Sequence, residues 1–278
     1  MLNIKKLLIA SYTGCLLFMS SQVEATDIVS VNIHGNSAEA IIELPGGVSA
    51  DITLEFENAV GLTAQNLGIS AEVVDITSQA LLQRLPSITD IAPSAAFPMM
   101  ITIEPQLTSG FSFSGLATVD IHTHNLEYTA GTPLRFFKAP LNGEFKDITM
   151  TMGAGSYRAR GSTGRFSQFI IVADLRPQVT VIDSKYNDLQ TALNNFSADI
   201  DPAVYSALLQ DLADVNQLML LQNYSAASNK LNSFNRRISD NSGDKVPNVW
   251  RSSRDISNVA GELMAYANTL RFSLRLAN

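Results

Sequence analysis

The chain has 278 residues, 46% of them hydrophobic, with 19 Lys and Arg against 26 Asp and Glu, a net charge of −7. An acidic balance of this kind repels phosphate backbones and argues against nucleic acid as a partner. One cysteine, Cys15, and three histidines leave no internal disulfide, no Cys-ligated metal and few groups for thiol or imidazole catalysis.

Residues 1–25 read as a secretory signal peptide. Lys5 and Lys6 form a basic start, Leu7 to Met19 an apolar run, and Val23-Glu24-Ala25 a small-residue cleavage signature, so export with cleavage near Ala25 is expected. The run is shorter than the roughly 20 apolar residues of a membrane span, and no other stretch approaches that length. Thr13-Gly14-Cys15 resembles the end of a bacterial lipoprotein signal. However, Tyr12 stands where Leu is usual and Leu16 to Met19 prolongs the apolar run, which speaks against a lipid anchor at Cys15. The expected location is secreted or periplasmic.

Residues 26–177 read as strands. Ala50, Ile52, Leu54 and Phe56 alternate with Asp51, Thr53 and Glu55 after a Pro45-Gly46-Gly47 turn. Met99, Ile101 and Ile103 repeat the pattern up to Pro105. Leu116 to His124 sets Val119 and Ile121 against Asp120, His122 and His124. Further strands are expected at 134–137, 145–152, 156–160 and 166–173, with a short helical interruption around Ser78 to Leu85. Many short strands with regular turns predict an antiparallel β-sandwich.

The period changes after Arg176-Pro177. Tyr186, Leu189, Leu193 and Phe196 sit at helical spacing, and Asp201-Pro202 supplies an N-cap and a first-turn proline. Asn223 separates the next two helical stripes, and a last helix is expected from about Asp255. Short connections predict an antiparallel helical bundle over residues 178–278. The expected fold class is therefore α+β in two domains, sandwich then bundle, joined near Pro177 to Asp183.

Gly164-Arg165-Phe166-Ser167-Gln168-Phe169 with Ile170 to Val172 resembles the terminal strand of ZU5-like and Ig-like extracellular domains. Leu208 to Ile238, with its Asn223-Tyr224-Ser225-Ala226-Ala227 segment, resembles a helical module at the ends of secreted bacterial proteins. Both resemblances imply an extracytoplasmic protein built for interaction. Some ZU5-type domains cleave themselves before the Ser of His-Phe-Ser, but Arg165 replaces that His here. A permanently charged guanidinium is no general base, so the resemblance does not extend to self-cleavage at Ser167.

Asp120, His122 and His124 share one strand face and are the candidate metal ligands, with His34 the only other imidazole. A solvent face carries polar residues in any case, and the pattern alone supplies no further ligand, so no metal, cofactor or catalytic residue is expected. Met152 to Ser156 is glycine-rich but lacks the P-loop ending and reads as a turn. Arg158, Arg160 and Arg165 are a candidate anion reader or a solvated edge. Trp250 is a candidate packing plug or ligand anchor. The expected function is non-enzymatic, through an unidentified protein partner at the cell envelope. The alternatives are a carbohydrate or small-ligand binding module and a metal-dependent enzyme centred on Asp120, His122 and His124.

Overall fold

Alternation is clearest over Ala50 to Phe56 and Leu116 to His124, and strands form at both. The computed structural model describes residues 28–278; the expected signal peptide, Cys15 and Ala25 lie outside the described residues. In chain order the elements are β1 (Ile28–His34), β2 (Ser37–Leu44), β3 (Val48–Val60), α1 (Ala64–Leu67), β4 (Ile69–Val73), α2 (Gln79–Leu82), β5 (Ile91–Pro93), β6 (Met99–Ile103) and β7 (Ser112–Glu127). They continue as β8 (Leu134–Ala139), β9 (Lys146–Asp147), β10 (Thr149–Gly153), β11 (Ser156–Thr163), β12 (Gln168–Asp174), α3 (Gln178–Asn195), α4 (Pro202–Leu220), α5 (Tyr224–Asp240), β13 (Val249–Arg251) and α6 (Val259–Leu276). The glycine-rich stretch is a hairpin turn between β10 and β11, with Gly155 at φ 94°.

Two antiparallel sheets result. The first runs β1-β2-β3-β7-β11-β10 with β13 added on β7; the second runs β4-β6-β12-β8-β9 with β5 on β12. Their facing sides share a core, with Ile42, Ile52, Leu54, Val119 and Ile121 from the first sheet meeting Ile101, Ile103, Phe136, Phe169 and Ile171 from the second. In β12 four consecutive residues, Phe169 to Val172, are buried. That run fits a strand covered on both faces, because Ile170 and Val172 pack on the far side against Leu81, Leu85 and Phe145. Around Asp51, Asp120, His122 and His124 the outer face of the first sheet is wet; toward Leu116 it meets the helices.

The structure corrects the expected pair of domains. The fold is mixed α/β, with strands dominating the N-terminal part and helices gathered toward the C-terminus, but the helical part is built into the sheets. β13, from the connection between α5 and α6, pairs with β7 at Trp250↔Phe113. Trp250 sits among Phe113, Phe166 and Phe111, with ring centroids 5.5, 5.3 and 6.0 Å away. Twelve of the 18 residues of α6 are buried, as a helix needs when it is covered on nearly every side. It packs on α3 and α5 and also on β7, β10 and β11. Thr269 Oγ1 can donate to the carbonyls of Asp147 or Thr149, at 3.0 and 3.1 Å. The change from strands to helices falls between Asp174, the end of β12, and Gln178, the start of α3. Helical periodicity identified the helices but carried no information on which surface their stripes would cover. No helix among the described residues is long and apolar enough to cross a membrane.

Candidate functional site

Two places gather chemistry, and the sequence pointed to one of them. On the wet face of the first sheet, β3 runs beside β7 with Asp51 opposite His122 and Thr53 opposite Asp120. Residues two apart on a strand face the same way, so His124 also stands near Asp51. His124 Nε2 is 3.1 Å and His122 Nδ1 3.5 Å from Asp51 Oδ2, and the two imidazole rings lie 4.7 Å apart. The burial of His122 lowers its pKa, Arg158 and His124 lower it further, and Asp51 acts in the opposite direction.

The structure divides the candidate ligands. Asp120 is taken by Arg160, whose Nε donates to both carboxylate oxygens at 2.9 and 2.8 Å. His34 ends β1, with β2 and β3 lying between it and β7. Through Ser37 and Glu55 it stands level with Thr118, four residues along β7 from His122. The acid that joins the histidines is therefore Asp51. Alternation in β3 already set Asp51 outward. Which outward residue stands opposite His122 is a long-range register that no local pattern encodes.

The second place is a crevice of about 470 Å³ between α3, α6 and the sheets, within the roughly 300–1,000 Å³ range of ligand sites. An adjoining pocket of about 370 Å³ shares Pro140, Arg165, Phe196 and Glu262 with it and reaches Trp250. Glu262 on α6 lines both pockets. Its Oε1 accepts from Gly164 N at 2.9 Å and Lys138 Nζ at 3.3 Å, and Arg165 Nε lies 3.2 Å from Oε2. Burial pushes the Glu262 carboxyl up, but Lys138, Arg165 and the Gly164 N–H outweigh it and hold the group below the ordinary range. Burial pulls the Lys138 ammonium down, and Glu262 opposes that shift. Lys138 also donates to Thr163 Oγ1. At the rim Lys146 Nζ meets Asp188 Oδ1 at 2.5 Å and lies 5.5 Å from the Tyr266 ring centroid.

Sequence reasoning missed Lys138, Glu262 and Asp188, which are spread over 125 residues and bear no motif. A lone Glu at the otherwise apolar start of the last helix, Val259 to Met264, was the available signal. The three arginines separate: Arg160 pairs on the wet face, Arg158 stands exposed beside it, and Arg165 turns into the crevice.

A family model described as a family of unknown function, DUF6689, matches residues 13–278. No curated protein and no solved structure matches the chain.

Proposed function

The chain belongs to DUF6689, a family of unknown function, and we propose that it is an exported, non-catalytic binding protein that takes a small polar ligand of the saccharide class into the crevice. The carrying observation is the lining of that crevice. Lys146 and Arg165 as donors and Glu144 and Asp188 as acceptors line it with the Tyr266 and Phe196 rings, around the mutually paired Lys138 and Glu262. Mixed donors and acceptors with aromatic faces suit a molecule that carries hydroxyls around a flat, partly apolar ring. Binding is favoured over catalysis because both Glu262 oxygens are already engaged by Gly164, Lys138 and Arg165, and the same partners lower its pKa, which leaves it no proton to give and weakens it as a base. Export rests on Lys5, Lys6, the apolar run and Ala25.

The test is calorimetry of the purified chain against neutral and uronic mono- and oligosaccharides. The reading expects at least one to bind, and Lys146→Ala and Asp188→Ala to abolish that binding while the melting midpoint stays near that of the parent. It fails if none of the panel binds, or if binding survives both substitutions.

A second reading, contact with a protein partner at the envelope, draws on Leu220 and Leu221. They are 71% and 76% exposed and adjacent at the turn from α4 to α5, where water contact with two large apolar side chains is unfavourable.

A further inference from the structure

We propose that Asp51, His122 and His124 bind one divalent first-row transition metal ion, zinc foremost, on the outer face of the first sheet. One donor atom from each residue lies within 4.8 Å of the other two. Donors about 2.0–2.1 Å from a common zinc at a tetrahedral angle stand about 3.3 Å from each other. The two His-to-Asp51 separations, 3.1 and 3.5 Å, already bracket that spacing. Only the imidazoles must draw together, which is a matter of side-chain torsion.

The backbone supplies the preorganisation. Asp51 and His122 are direct partners in a ladder that pairs Ala50 to Phe56 with Thr123 to Ala117, and His124 follows His122 by two residues on the same strand. No loop has to close to bring the donors together. Two imidazoles and one carboxylate are borderline ligands that suit zinc, nickel(II) and copper(II) rather than calcium or magnesium. Asp51 and His124 are exposed enough for a metal to keep one or more positions for water. Arg158 opposes the site, because it pairs with His122 across β11 and sets a cation beside it. Asp120 takes no part, its carboxylate being held by Arg160. The reading does not rest on the crevice, which is formed by other elements.

The experiment is equilibrium dialysis and calorimetry of chelator-stripped protein with zinc chloride, repeated with nickel and copper. We expect one ion per chain at micromolar free metal. Asp51→Asn, His122→Ala and His124→Ala should each weaken binding at least tenfold, since even outer-sphere changes cost 10–100-fold. Asp120→Asn should bind like the parent, and Arg158→Ala more tightly. In proton NMR, zinc should move the ring signals of two of the three histidines and leave His34 in place. All these substitutions lie on a solvated face, and far-UV circular dichroism verifies that each variant is folded. Absence of stoichiometric metal overturns the proposal. So does parent-like binding by Asp51→Asn, or a zinc-induced shift of His34 alone.

Discussion

Glu262 shows what a single residue does in this molecule. Its carboxylate, 7% exposed, faces Lys138, 10% exposed, and Arg165. Removing one partner from a buried ion pair leaves an uncompensated charge and costs about 3–5 kcal/mol. Glu262→Gln should therefore lower unfolding stability by about that much in urea titrations near pH 7. The sign with pH follows from its lowered pKa. The stabilisation is complete above the unfolded carboxyl value of about 4.3 and is lost as pH falls through the lower folded value. The Gln variant should accordingly show a flatter stability curve below about pH 4.5, and an acid limb as steep as the parent's would count against the assignment. Tyr157 is the opposite case. Its hydroxyl is buried without a hydrogen-bond partner among the described residues, and burial pushes its pKa up. An unsatisfied buried polar group costs about 1–3 kcal/mol, so Tyr157→Phe should stabilise the protein by about 1 kcal/mol. It should also remove stability loss above about pH 10, where the unfolded chain sheds the phenolic proton and the folded chain keeps it. A clear drop in the urea midpoint on this substitution would show that the hydroxyl has a partner.

At the scale of elements, legibility tracks the sequence distance of the cause. Asp201-Pro202 starts α4 as read, because Asp201 Oδ1 accepts from Ala203 N and Val204 N at 3.0 and 3.2 Å, all within three residues. Asn223 likewise caps α5 through Ala226 N. The last helix begins at Val259 rather than near Asp255, because its cap is Asn258. That side chain accepts from Gly261 N at 2.8 Å and donates to the Gly115 carbonyl at 2.6 Å, 143 residues earlier on β7. β13 has only three residues and exists through its pairing with β7. Asp51 came to face His122 and His124 by the same kind of distant register. Gly164, which opens the segment that resembles a terminal strand, owes its place to proximity. A Cβ there would lie 2.4 Å from Glu262 N and 2.8 Å from Gly261 C, both backbone atoms of α6. Gly164→Ala should push α6 off the sheet and cost more than the roughly 1 kcal/mol typical of a point substitution, with a drop in melting midpoint to match. If the variant melts like the parent, the approach of α6 is looser than these distances imply.

Taken whole, the molecule ties its helices to its sheets through groups that cannot be left unpaired. Besides Glu262, Lys185 on α3 is buried with Nζ 2.6 Å from Asp147 Oδ2 on β9 and 2.9 Å from Ser273 Oγ on α6. Arg275 near the end of α6 donates to the Met150 carbonyl at 3.1 Å. Freeing the helices would strand Lys138, Lys185 and Asp147 and would strip Trp250 from its ring of phenylalanines, so partial unfolding offers no cheap intermediate. We therefore expect one cooperative transition, the behaviour usual when a chain's parts share their core. The chain carries its own probes: Trp250, its only tryptophan, reports the sheet core by fluorescence, and ellipticity at about 222 nm reports the helices. In urea both signals should give one midpoint, and Glu262→Gln should move both by the same amount. A helical signal lost at lower urea than the Trp250 signal would show that the helices unfold independently of the sheets.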